Sequence, residues 1–167
     1  NVAAGETKSL AFAIHRVVPT RGWVAADTHI HTLTLSKHGD ATEDERALTI
    51  AGEGIELAVA TEHNHHADYS AAQARTLTSA YFMSVRGNEV TTKAGHFNAF
   101  PLARDPLAAN FGAIDWYGVR GGDLMKLMRA NPAKPLVQVN HPRSGSFGAP
   151  IIKGYFTAVG FDPATFT

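Results

Sequence analysis

Apolar and polar residues alternate over 8–18, with Leu10, Phe12 and Ile14 on one side, which predicts a strand. Pro19-Thr20-Arg21-Gly22 then breaks the pattern. This strand is either the tail of a preceding domain or an N-terminal edge strand of this one, dividing the chain into 1–20 and 21–167. Beyond it, short apolar runs take turns with helical stretches. Trp23 to Ile30 reads as a strand. Thr42 with Glu45 three residues on is a capping-box sequence opening a helix that runs to Glu53, and Gly52 and Gly54 close it. Ile55 to Thr61 is the next strand, and a helix is expected over Tyr69 to Ala80. Strands follow at Tyr81 to Val85, Glu89 to Thr92 and, after a Lys93-Ala94-Gly95 turn, His96 to Phe100. Pro101 to Gly122 reads as a long loop. Asp123 caps a helix to Ala130, and Leu136 to Asn140 is the last strand. Repeating βα units of this kind argue for a parallel sheet or barrel.

Composition narrows the class. The chain has 167 residues, 44% hydrophobic and 18% charged, which fits a globular domain with a core rather than a disordered segment. Fifteen basic residues balance fifteen acidic ones without segregating into blocks. No surface for nucleic acid or for an anionic membrane is therefore expected, and a small-molecule substrate is the expected partner. Cysteine is absent, so a transition-metal site must draw on His, Asp and Glu. No apolar run approaches membrane-spanning length. The chain begins at Asn1 rather than Met, so an upstream segment is expected to have been removed. Its compartment is left open, with a periplasmic or secreted location favoured over a cytoplasmic one.

The candidate chemistry sits at the ends of the expected strands. Asp27, His29 and His31 alternate along one strand and so share a face. Thr61-Glu62-His63-Asn64 ends the second strand, Glu89 and His96 begin later ones, and Asn140-His141-Pro142 ends the last. In a βα barrel the strand ends converge on one face, where active sites are built. Five of nine histidines at strand termini, with a carboxylate among them, point to a divalent-metal site rather than a scatter of surface imidazoles. His65 and His66 read as loop residues near the cavity mouth. His15 reads as structural or solvated, Lys93 as solvated. Phe97, Phe100, Phe111, Trp116 and Tyr117 read as packing. Arg143 is either a contact for an anionic substrate or an ordinary surface arginine.

Asp-Thr-His-Ile-His-Thr, Thr-Glu-His-Asn, Gly-Asn-Glu-Val-Thr-Thr, Gly-His-Phe-Asn-Ala-Phe and Val-Asn-His-Pro-Arg occur in that order between Trp23 and Arg143. Together they resemble the PHP (polymerase and histidinol phosphatase) superfamily, and most closely its CehA/McbA-like branch of metallohydrolases. The resemblance implies a distorted (β/α)7 TIM-like barrel with two or three divalent ions, zinc, manganese or iron. It implies that His29 and His31 bind a first ion, which Glu89 bridges to a second completed by His96 and His141. His38 and His63 would hold a third, and Asp27 would orient a metal-bound imidazole from behind. Glu62, Asn140 and Arg143 would support ligands or substrate.

Two departures from the family pattern stand out. Thr-Glu-His replaces Thr-Asp-His, setting the Glu62 carboxylate one methylene further out, and the family's final Asp-x-His is missing. The barrel is accordingly expected to be incomplete in this chain and finished by a downstream segment or a second chain. The expected function is a metal-dependent hydrolase acting on phosphoesters, with Asp27 or a free histidine relaying the leaving-group proton and Glu89 at the catalytic centre. Amide or carbamate hydrolysis is the alternative within the branch. The amidohydrolase superfamily shares the His-x-His but uses a lysine where Glu89 stands. A metal-binding module without catalysis is the reading from another class.

Overall fold

The computed structural model describes residues 2–13, 15, 20–92 and 95–141. The elements run β1 (Ala26–Ile30), α1 (Leu33–Ser36), α2 (Glu43–Glu53), β2 (Leu57–Ala60), α3 (Ser70–Thr76), β3 (Met83–Arg86), β4 (Asn88–Thr92), β5 (Gly95–Phe100), α4 (Gly121–Arg129) and β6 (Leu136–Val139). A 3-10 turn at Ala109–Gly112 interrupts the long loop. No described helix is long and apolar enough to cross a membrane.

The capping box at Thr42 forms as its residues predict. The Thr42 hydroxyl accepts from the Glu45 N–H, and Glu45 accepts from the Thr42 N–H at 2.8 Å, so α2 starts there. Gly54, at φ 73°, closes it in the left-handed conformation that glycine adopts without strain. Ala47 and Ile50, three residues apart on one face, are buried against β1 and β2. Leu77 takes φ 59° and ends α3 at Thr76, earlier than Ala80. Asp123 does not cap α4: Arg120 holds the cap position, and Asp123 lies in the first turn paired with Lys126 at 3.1 Å.

β1 starts at Ala26 rather than Trp23. The Trp23 N–H closes a turn on the Thr20 carbonyl at 2.8 Å, which keeps the indole out of the ladder and 82% exposed. Residues 8–13 and 15 form no strand, and Leu10 and Phe12 are exposed. Alternation alone makes no strand without an edge to pair with, and none is offered among the described residues. Ile14 and 16–18 lie outside them.

Two three-stranded sheets result. β1-β2-β3 is parallel, as βα units require. β4-β5-β6 is antiparallel, which corrects the expectation of parallel pairing throughout. Only two residues separate Thr92 from Gly95, too few for a crossover, so β4 and β5 pair as a hairpin. The strands described do not close into a barrel. What joins the sheets is a single residue. Gly87 separates β3 from β4, and a Cβ there would lie 2.8 Å from both the Ala60 carbonyl and Val59 Cγ1. Only glycine lets the strand pass so close. Past this point β4 pairs with the extension of β2, through the Glu89 N–H to Glu62 at 3.1 Å and the Asn64 N–H to Glu89 at 2.9 Å.

Each sheet has its own core. Ile30, Ala58, Ala60 and Phe82 pack with Ala47, Ile50, Tyr69 and Ala72 of the helical layer. Val90, Phe97 and Ala99 pack against Leu124, Met125 and Met128 of α4. Burying each large side chain stabilises the fold by about 1.5–3 kcal/mol. Because side chains alternate along a strand, an apolar face implies a second one. On the second sheet that other face carries Glu89, Thr91, His96, Asn98, Gln138 and Asn140, and it looks toward β1: Asn98 donates to the Thr28 carbonyl at 2.8 Å, and Thr28 Oγ1 to Gln138 at 3.2 Å.

Candidate metal centre

Glu89 is the centre. Its side chain is 0% exposed, yet it packs against imidazoles rather than hydrocarbon. Oε1 lies 3.2 Å from His29 Nε2, 3.2 Å from His96 Nδ1 and 3.5 Å from His141 Nε2. Oε2 lies 3.2 Å from His31 Nε2 and 2.8 Å from His63 Nδ1. Burial alone would raise the Glu89 carboxyl, but the surrounding rings of His29, His31, His63 and His96 reverse this and hold it well below the ordinary carboxylate range. His38 joins through His63, with the two Nε2 atoms 2.5 Å apart, and His29 and His31 face each other Nε2 to Nε2 at 3.0 Å.

The first sheet steadies its ligands from behind, through Glu62. This buried carboxylate accepts from the Thr32 N–H and hydroxyl, the Tyr69 hydroxyl at 3.3 Å and the Ser36 hydroxyl at 2.5 Å. Burial and the neighbouring Glu62 push the Tyr69 hydroxyl far above its ordinary range, so it stays a donor. Since Ser36 spends its proton on Glu62, Ser36 Oγ can only accept from His31 Nδ1, 3.2 Å away, and from the His63 N–H at 3.1 Å. His31 therefore carries its proton on Nδ1 and presents a bare Nε2 to the centre. Glu62 thus reaches the His63 main chain through Ser36.

The second sheet steadies Glu89 within the ladder. Asn140 Nδ2 donates to Glu89 Oε1 at 2.7 Å and to Asn98 Oδ1 at 2.7 Å, and both asparagines are buried. Burial, with His96 nearby, lowers the pKa of His141; burial, with His31 and His63 nearby, lowers that of His38, favouring the neutral ligand form of both.

A divalent ion fits this donor set. Glu89 Oε2 is buried and makes no hydrogen bond of regular geometry, although two ring nitrogens lie within 3.2 Å of it. Such an atom is costly unless a cation takes it. Three groups place their ligand atoms within 4.8 Å of one another: His31, His38 and His63; His29, Glu89 and His141; His63, Glu89 and His96. All seven expected ligands converge. His29 and His31 also lie together, their Nε2 atoms 3.0 Å apart and each 3.2 Å from a Glu89 oxygen, so the distances do not divide the ligands in one way.

Asp27 is exposed and accepts from the His29 backbone N–H at 3.0 Å, a contact to main chain rather than to an imidazole. His65 sits edge-on to Phe111, His66 is buried beneath the 103–112 loop, and His15 is exposed. Phe97 is core, and Trp116 packs on that core, while Tyr117 is exposed. Arg143 and Lys93 lie outside the described residues. Sequence reasoning missed Thr32, Ser36, Tyr69, Thr91 and Asn98. Asn98 had a signal, two residues beyond His96 on the same strand face. Thr91 had the same signal, two residues beyond Glu89, and the hydroxyls of Thr32, Ser36 and Tyr69 had none.

Compared with known proteins, the chain matches no family model, no curated protein and no solved structure.

Proposed function

We propose that this chain is the metal-holding part of a divalent-metal-dependent hydrolase of the PHP kind, acting on phosphoesters. The observation that carries the reading is Glu89, wholly buried, with ring nitrogens of five histidines 2.8–3.5 Å from its oxygens. His29 and His141 would hold one ion with Glu89, and His31 and His38 another, with His63 completing either that second ion or one held by Glu89 and His96. Zinc, manganese or iron suits oxygen and imidazole ligands. Ions so held supply Lewis acidity to the attacked group and make hydroxide accessible near neutral pH.

The remaining work falls to the chain itself. Asn140 fixes the direction of the Glu89 carboxylate. The Ser36 relay keeps His31 in one tautomer, so no ring must turn before it can bind. Buried Asn98 and Asn140 keep water from behind the carboxylate. Asp27, exposed beside His29 and bordering the groove, would take up or release the leaving-group proton.

The test is metal content by mass spectrometry, followed by turnover of an aryl phosphate and an aryl carbamate with Mn²⁺ or Zn²⁺. Bound metal with phosphate cleavage is the expected result. Carbamate cleavage alone would move the substrate class to amide-type bonds, and bound metal with neither activity would leave a metal-binding module.

A further inference from the structure

A groove of about 570 Å³ runs between β1 and α2 and opens beside His31 and His38. Ile30, Ile50 and Ile55 give it an apolar wall. Arg46 borders it from α2. The guanidinium has five N–H donors. Among the described residues its acceptor is Asp40, whose Oδ1 lies 2.6 Å from Arg46 Nη2. Arg46 Nε is buried without a hydrogen-bond partner. The Asp40 side chain is 90% exposed and that of Arg46 24%, so water reaches the pair from the Asp40 side, and a contact solvated in this way is weak and exchangeable. The cation is therefore underused at a place next to the histidine cluster, and it already accepts a carboxylate as partner.

We propose that this groove binds the part of the substrate remote from the scissile bond, and that Arg46 receives a carboxylate carried there on a short aryl or alkyl stem. The stem packs on the three isoleucines. Glu53 and Asp27 also border the groove and repel an anion, which confines the carboxylate to the Arg46 end. A planar guanidinium grips a carboxylate through two parallel N–H bonds, and the ligand's carboxylate displaces the solvated Asp40 from that fork. The inference rests on the hydrolase reading for what is cleaved, and it adds the substrate class: a phosphoester bearing a carboxylate.

Calorimetric titration of the full chain with phenylphosphonate and 4-carboxyphenylphosphonate, manganese added, tests it. The carboxylated probe is expected to bind about tenfold tighter, roughly 1.4 kcal/mol, the gain of a charge-assisted hydrogen bond less the Asp40 contact it displaces. Arg46→Met should erase that ratio and Arg46→Lys should restore part of it. Asp40→Asn, which removes the competing carboxylate, should widen it. Equal affinities in the unaltered chain, binding of neither probe, or loss of the ratio in Asp40→Asn as in Arg46→Met would overturn the proposal; the last would make the pair a clamp on the loop carrying His38. Metal content measured alongside separates the two readings. Metal without carboxylate preference defeats the subsite alone, and a preference dependent on Arg46 without metal defeats the hydrolase reading alone.

Discussion

In the first sheet His31 and His63 stand beyond the strand ends and are held from behind by Ser36 and Glu62, whereas in the second Glu89 and His96 lie inside the strands, held by ladder register and by Asn98 and Asn140. A parallel sheet puts its free side chains at its carboxyl edge, so ligands there need a separate scaffold of hydroxyls and a carboxylate. An antiparallel sheet with one apolar face offers a ready polar face, and backbone pairing sets the spacing. One centre is thus assembled by two kinds of rigidity.

That contrast can be broken at four points. The largest effect is expected at Glu89, on which both halves converge. Glu89→Gln keeps the shape and removes the charge, and should weaken Mn²⁺ binding by more than about a hundredfold, beyond what partners behind the ligands contribute. Titration calorimetry reads this, and near-normal uptake would undo the central role given to the residue. Glu62→Gln comes next. It touches no ligand atom at the centre, but with a neutral amide behind Ser36 the hydroxyl can turn and the His31 tautomer is released, for a loss of about 10–100-fold. If Glu62→Gln matches the unaltered protein, the first sheet does not need its scaffold.

Gly87→Ala addresses the junction. The added methyl meets backbone and a buried valine, so stability should fall by about 1–3 kcal/mol in denaturant titration, with metal affinity declining in parallel. The smallest effect belongs to His66, whose pKa burial depresses below its ordinary value of 6.5. The unfolded chain then binds a proton that the folded chain refuses, so stability is lost as pH falls from that ordinary value toward the folded one. His66→Leu should flatten the melting temperature against pH over that range. An unchanged slope would assign the acid lability to other groups.

His29 and His31 were legible because strand alternation put them on one face with Asp27, whatever the strand paired with. Pairing direction was not, since short apolar runs such as Leu136 to Val139 read alike in parallel and antiparallel sheets. Leu10 and Phe12 carried the same alternation as β5 and form no strand, because a period of two states a preference and a neighbouring edge realises it. Thr32 and Ser36 were invisible as supports: hydroxyls at the two ends of a single helical turn have no period, and only the arrival of Glu62 from thirty or so residues away gives them a task.

The lone glycine between β3 and β4 has a consequence for how the molecule opens. Residues 83–92 are one nearly continuous ribbon stitched to β2 below and to β5 above, so neither half can fray without pulling on Glu89. Amide protons of the two sheets should therefore exchange with solvent as a single cooperative unit, closing together when an ion arrives and opening together when it leaves.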